Sequence, residues 1–446
     1  MDAPVAYQGK EPYIFISYAH KNADAVLHLV GCLQSRGFRI WYDAGIEAGT
    51  EWPEYIAEHL SGSACVVAFV TKEFVASWNC KREITFAQEL GKPVLSIYLE
   101  DVEMPMGLRM QLGSNQSVFR SRHKSEESFL SALMAAGILK DANNIREFDI
   151  EGHMLKAYHG KDPTATVPEG VEIIGEKAFA DSDSLMEVRF PGSLRKIGAG
   201  AFEGCRVLKE VTVMDGLEAI EESAFSQCVV LERIHIPDSV KSIGKTAFGD
   251  CEGLLEIAFP DGLDMLADGV MVGCRKLEKV FIPNSVTQIG GSAFCGCEKL
   301  KEIQIPGSVT RIGWLAFNHC ESLREITVPS GVKKIARGTF HRCIELRRVV
   351  LEEGVEVIEN NAFEQCTRLK DVVLPDSLRE ICDEAFKTCE ALQTIRIPPN
   401  VTWIGTQVFY GCESMETLIL CKRAGAKIKE KVLKGKALRR VLQPLF

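Results

Sequence analysis

Ser17 and Tyr18, the run from Asp43 to Gly49, and Glu83 are the polar residues whose positions best suit chemistry in this chain. Each is expected just after a buried strand, or on the helix that follows one. In open α/β sheets, ligands bind outside the carboxyl ends of the strands. Other kinds of chemistry lack their residues. No Gly-x-Gly-x-x-Gly follows the first strand and no Gly-x-x-x-x-Gly-Lys-Ser/Thr occurs, so the usual phosphate cradles are missing. No Ser–His–Asp set stands out. Cys-x-x-Cys, His-x-x-x-His and His-Glu-x-x-His are absent too, so no metal or redox role is expected. What is left is this cluster at the predicted strand ends. Blander readings stand beside it. Ser17 and Tyr18 can be a strand end packed under a loop, Asp43 and Gly49 can be turn residues, and Glu83 can be an exposed helix carboxylate near Lys81 and Arg82.

The elements that must position these groups alternate between strand and helix over residues 11–140. Tyr13–Ser17, Phe38–Tyr42, Ala64–Val70, Lys92–Tyr98 and Gln116–Phe119 read as strands. Between Asp24 and Arg36, Val26, Leu29, Val30 and Leu33 form a helical stripe that Gly37 stops. Further helices are expected at Trp52–Leu60, Cys80–Leu90 and Ser125–Ala136. Such alternation implies a parallel sheet with helices on both faces.

Three segments carry a resemblance. Tyr13-Ile-Phe-Ile-Ser-Tyr18-Ala-His, Gly37-Phe-Arg-Ile-Trp-Tyr-Asp43-Ala-Gly-Ile-Glu47-Ala-Gly49 and Ser77-Trp-Asn-Cys80-Lys-Arg-Glu83-Ile look like the three boxes of a bacterial-type TIR domain, a flavodoxin-like α/β fold. In TIR domains that cleave NAD, a glutamate on the helix after the third strand is catalytic, and Glu83 matches it. The resemblance implies that Ser17, Tyr18, Trp41, Asp43, Glu47, Gly49, Trp78 and Asn79 bind NAD, with NAD as substrate and no cofactor. Many such enzymes carry a tryptophan four residues before the glutamate; Asn79 stands there, with Trp78 one residue earlier. One carboxylate suits the reaction. Cleaving the nicotinamide–ribose bond builds an oxocarbenium-like centre, which a neighbouring carboxylate stabilises. Nicotinamide leaves neutral, so neither a general acid nor a metal is required. The expected products are nicotinamide and linear or cyclic ADP-ribose, in bacterial immunity or signalling. A non-catalytic TIR scaffold, or a mimic that disrupts host TIR signalling, is the alternative.

The rest of the chain is organised by a phenylalanine that returns every 23 residues, from Phe179 through Phe202, Phe225 and onward to Phe409, with Met271 the one change of type. A leucine follows six residues later, and a proline stands eleven before in nine of the eleven repeats. Ten of the sixteen cysteines sit three residues after this column, from Cys205 to Cys412. Equivalent sites in stacked coils lie roughly 4.8 Å apart, and a small buried thiol fits such a ladder. In one unit, Ile303 and Ile305 point inward, Pro306 ends the strand, Val309 and Ile312 return to the core, and Gly313 permits a tight turn. One coil cannot bury its own core, so its neighbours must stack on it. The unit is similar to the bacterial surface-antigen (BspA-like) leucine-rich repeat, a binding family with no enzymatic activity implied. The outward strand column includes Phe281, Val350 and Val373, expected as a protein-contact surface.

The division expected is therefore 1–140 for the TIR domain, 141–147 for a short linker, 148–421 for a β-rich solenoid opened by a hairpin, and 422–446 for a basic cap. Residues 422–446 carry nine Lys and Arg against one acidic residue, within a chain of formal net charge −9. A solvated helical cap is favoured there over nucleic-acid or membrane binding. Met1–Lys10 lacks a basic start and an apolar run, and no stretch is long enough to span a bilayer. A cytoplasmic, self-associating protein is expected.

Overall fold

The computed structural model describes residues 4–9, 11–43, 52–113, 115–140, 146–420 and 440–442. Glu47, Gly49, residues 141–145 and most of the basic cap lie outside the described residues. Contacts divide the chain into two compact units, Met1–Asp162 with Pro168–Val171, and Pro163–Val167 with Glu172–Phe446.

The first unit holds a five-stranded sheet: β1 Ile14–Ser17, β2 Ile40–Tyr42, β3 Cys65–Val70, β4 Val94–Tyr98 and β5 Gln116–Phe119. The order is β2-β1-β3-β4-β5, and every pairing is parallel. The first three strands are wholly buried, IFIS, IWY and CVVAFV, which is what a sheet covered on both faces demands. Helices α1 Ala23–Gln34, α2 Trp52–Gly62, α3 Lys72–Ala76, α4 Trp78–Glu89, α5 Met106–Leu112, α6 Glu126–Met134 and α7 Gly137–Lys140 supply that cover. Val26, Val30 and Leu33 of α1 share one core with Phe129 and Leu133 of α6 and Leu139 of α7. Ile56 and Leu60 of α2, Phe74 of α3, Ile84 of α4 and Leu108 of α5 fill the opposite core. The strand order reverses between β1 and β3, which opens a crevice at their carboxyl ends.

A hairpin, β6 Phe148–Glu151 and β7 Met154–Tyr158, also falls in the first unit. Glu147 N–H donates to the Gly37 carbonyl at 2.8 Å, the Arg146 guanidinium lies over the Phe38 ring at 4.6 Å, and Tyr7 hydroxyl donates to Asp162 Oδ2 at 2.6 Å. By contacts the hairpin is grouped with the α/β unit, which runs to Asp162. Gly37 has φ +83°, and a Cβ there would run into the Phe148 carbonyl, so it serves this packing as well as ending α1.

In the second unit most coils place short strands in two stacked columns with a 23-residue register, such as Val188↔Val211 and Ile197↔Ile220; residues 302–305 form no strand, although Ile303 and Ile305 are buried as expected. The phenylalanine rings stack along the coils at 4.6 to 5.9 Å between centroids, with interplanar angles of 17° or less. The cysteine ladder does more than fill space. Each of its ten thiols donates to the carbonyl of the column residue one coil earlier, from Cys205 Sγ to Phe179 O at 3.0 Å to Cys412 Sγ to Phe386 O at 3.1 Å. Burial pushes the Cys251 thiol up to about 12, which keeps it a protonated donor. All fifteen described cysteines are free. The turn expected at Gly313 lies elsewhere: the left-handed residues of that coil are Leu315 and His319, at φ 53° and 59°. Gly313 is bare for another reason, since a Cβ there would collide with the backbone of Gly290 and Gly291 one coil back.

Candidate active site

The crevice at the β1/β3 reversal is built by three local arrangements. β1 ends at Ser17, which is fully buried, and the chain turns through Tyr18. Thr71 Oγ1 accepts from Phe74 N–H at 3.1 Å and starts α3. Ser77 closes α3, and its hydroxyl accepts from Cys80 N–H at 3.3 Å to start α4. This cap begins α4 at Trp78, two residues before the expected start. Asn79 and Glu83 then stand four residues apart, on one helical face.

Ser17 Oγ donates to Glu83 Oε2 at 2.5 Å. Burial pushes the Glu83 carboxyl up to about 7; the nearby Asp43 adds to the rise and the Ser17 bond opposes it. Tyr18 hydroxyl donates to the Asp43 carbonyl at 2.8 Å and fixes the end of β2 against the turn after β1. Burial pushes that hydroxyl up to about 12, so it remains a donor at neutral pH. His20 Nε2 lies 3.2 Å from Asp43 Oδ2. These groups border a cleft of about 550 Å³, lined among others by Tyr18, His20, Asp43, Lys72, Asn79 and Glu83.

The sites expected from sequence separate on inspection. Glu83, Tyr18, Asp43 and Asn79 come together around the cleft, and Ser17 lies behind Glu83 as its hydrogen-bond donor. Trp41, expected at the nucleotide, is core instead. It is 1 % exposed and stacks on Phe15 and on His59, because alternation along β2 turns it under α2. Trp78 does not border this cleft. It is 72 % exposed and lines a second cleft of about 520 Å³ with Ile56, Lys81, Arg82 and Phe86, a cleft that Glu83 also borders. Successive helix residues point about 100° apart, which divides Trp78 from Asn79. Three residues passed over in the sequence, His20, Lys21 and Lys72, also border the first cleft. Lysines on helix termini read as solvated surface, so no local pattern marked them.

The arrangement can do one thing well. A carboxylate beside apolar walls, near its midpoint at neutral pH and oriented by a buried hydroxyl, can stabilise positive charge that develops on a ligand in the cleft. The lysines at the rim suit phosphate oxygens.

A TIR-domain family model matches residues 14–134, and the BspA-type leucine-rich repeat region matches 162–266, 218–347 and 333–444. No curated protein sequence matches the chain significantly. Among solved structures, a leucine-rich cell surface protein of Faecalibacterium prausnitzii is 30% identical, covering 61% of this chain and 85% of its own, with a TM-score of 0.44. A leucine-rich repeat protein of Bacteroides ovatus is 22% identical over 66% of this chain and 94% of its own, with a TM-score of 0.40. The pneumococcal vaccine antigen PcpA is 20% identical over 61% and 78%, with a TM-score of 0.39.

Proposed function

Because the chain belongs to the BspA-type leucine-rich repeat family and carries a TIR domain, we propose that its α/β domain cleaves NAD and that the repeat array governs when it does so. The observation that carries this reading is Glu83, held by Ser17 at 2.5 Å in a cleft at the β1/β3 reversal. With the nicotinamide ribose against Glu83, the bond from C1′ to the pyridinium nitrogen breaks and its electron pair stays on nitrogen. Nicotinamide then leaves neutral, and the carboxylate stabilises the oxocarbenium-like ribose. Attack by water yields ADP-ribose; attack by a nucleophile within the same molecule yields a cyclic product. In this reading Asn79 contacts the ribose or the carboxamide, Lys21 and Lys72 take the pyrophosphate, and Tyr18 with Asp43 shapes the wall. Glu47 and Gly49 are assigned to NAD contact as well. No cofactor or metal is needed for the step.

TIR and leucine-rich repeat domains commonly mediate self-association or protein contact. We assign the array that role, with Phe281, Val350 and Val373 as the contact face, in a cytoplasmic immune or signalling protein. A second reading rests on Trp78, which does not border the first cleft, so that among the described residues no tryptophan lines it to stack on nicotinamide. It makes the TIR domain a scaffold, or a mimic that disrupts host TIR signalling. Nicotinamide release separates the two. Full-length protein and Glu83→Ala are incubated with NAD at low and at high protein concentration. The catalytic reading expects release by the parent protein, rising in specific rate with concentration, and none by the variant. Absence of release at every concentration leaves the scaffold reading.

A further inference from the structure

We infer that the TIR domain carries a transition-metal site built from His28, Cys32 and Glu126, of the kind that holds zinc. His28 and Cys32 stand four residues apart on α1, and so share one helical face. Glu126 comes from the first turn of α6. His28 Nε2 lies 2.6 Å from Glu126 Oε1, and Cys32 Sγ lies 4.0 Å from each of those atoms. All three donor atoms fall within 4.8 Å of one another. Zinc bonds of about 2.0–2.3 Å in a tetrahedron put donor atoms roughly 3.5 Å apart. The nitrogen and oxygen need to part by under about 1 Å, and the sulfur to approach by about half that.

The donor set selects the metal. One imidazole, one thiolate and one carboxylate suit zinc and its neighbours, whereas magnesium and calcium take oxygen ligands. Three protein ligands leave one tetrahedral position for water or for a donor from outside. The scaffold is firm. Leu29, Val30 and Leu33 anchor α1 in the same core that receives Phe129, Leu130 and Leu133 of α6. Ser125 Oγ accepts from Ser128 N–H at 3.2 Å and fixes where α6 starts, and thus where Glu126 stands. The sequence hid this site because its third ligand is 94 residues from its second. The trio lies on the face of the sheet opposite α4, so it stands apart from the Glu83 cleft and does not depend on how that cleft is read.

The test uses untagged full-length protein, stripped by chelator and titrated with cobalt(II) as a spectroscopic probe and with zinc chloride by calorimetry. One equivalent of cobalt is expected to give a thiolate-to-cobalt charge-transfer band in the near ultraviolet and tetrahedral d–d bands in the visible, both removed by one equivalent of zinc. Cys32→Ser should abolish the charge-transfer band. His28→Ala and Glu126→Gln should each weaken zinc binding by at least about 10- to 100-fold, the loss that even the supporting partners of a metal ligand cause. Circular dichroism on the variants checks that they fold. No band in the parent protein, or an equal band in Cys32→Ser, overturns the proposal.

Discussion

Glu83 is a carboxylate that the fold pushes toward neutrality. Its folded value, about 7, lies above that of an unfolded chain, so the folded state holds the proton more tightly. Stability therefore falls as pH rises from the ordinary carboxylate range through 7, and the cost is fully present above that. Glu83→Gln removes it, and at pH 8 the variant is expected to be more stable by roughly 1–3 kcal/mol, at about 1.4 kcal/mol per pH unit. Urea unfolding of parent and variant at pH 5 and pH 8 checks this; at pH 5 the difference should shrink to about a quarter of its pH 8 size. In the proposed catalysis the ionised form is the working one, so kcat/KM is expected to rise with pH around an inflection near 7. The Ser17 bond lowers the Glu83 value, so Ser17→Ala should move that inflection upward and cut the rate at pH 7, by roughly fivefold for the first pH unit moved. An unmoved inflection would assign Ser17 to packing alone. The sequence pointed to Glu83 through its box, but its partner stands 66 residues away and only the strand order joins them. Trp41 misled for the converse reason: it lies inside a matching box, yet the alternation of β2 places its ring in the core.

At the scale of elements, the five strands and the long helices were legible because apolar runs and helical stripes mark them. α3 and α5, of five and seven residues, were not, since neither is long enough to show a helical period. The coil was legible in its spacing and only partly in its chemistry. Phase alone marked the cysteines as core. It could not reveal that each thiol satisfies a carbonyl one coil back, as Cys320 Sγ does for Phe294 O at 3.2 Å. Cys320→Ala should remove one of two bonds to that buried carbonyl, which still accepts from Cys297 N–H, and open a small cavity, costing about 1–2 kcal/mol. Cys320→Ser keeps a donor and should cost less. Urea midpoints of the two variants give the order, and an equal loss in both would reduce the ladder to packing.

For the whole molecule, the sequence separated an α/β domain from a repeat array, as the family matches at 14–134 and 162–444 do. The hairpin at 148–158 was legible from its likeness to the one that opens such arrays. The backbone bond from Glu147 to Gly37 and the Tyr7–Asp162 bond were not, since no local pattern announces such pairings. The outward strand column was legible from alternation. Phe281 is 63 % exposed and Val373 42 % exposed, while Val350 is half-buried. Among the described residues, no helix is long and apolar enough to cross a membrane. If the array assembles the protein through this face, Phe281→Asp should lower the mass in solution at a fixed concentration and reduce the specific rate of NAD loss with it. Light scattering on both proteins checks the first effect. The central claim is narrower: an ionised carboxylate at Glu83 breaks the nicotinamide bond. Glu83→Gln keeps the side-chain shape and can still accept from Ser17, so it removes the charge and little else. Nicotinamide release from NAD by this variant, at pH 8 and at a concentration where the parent protein is active, is predicted to fall by about 10²–10³-fold or more; release at the parent rate would contradict the account.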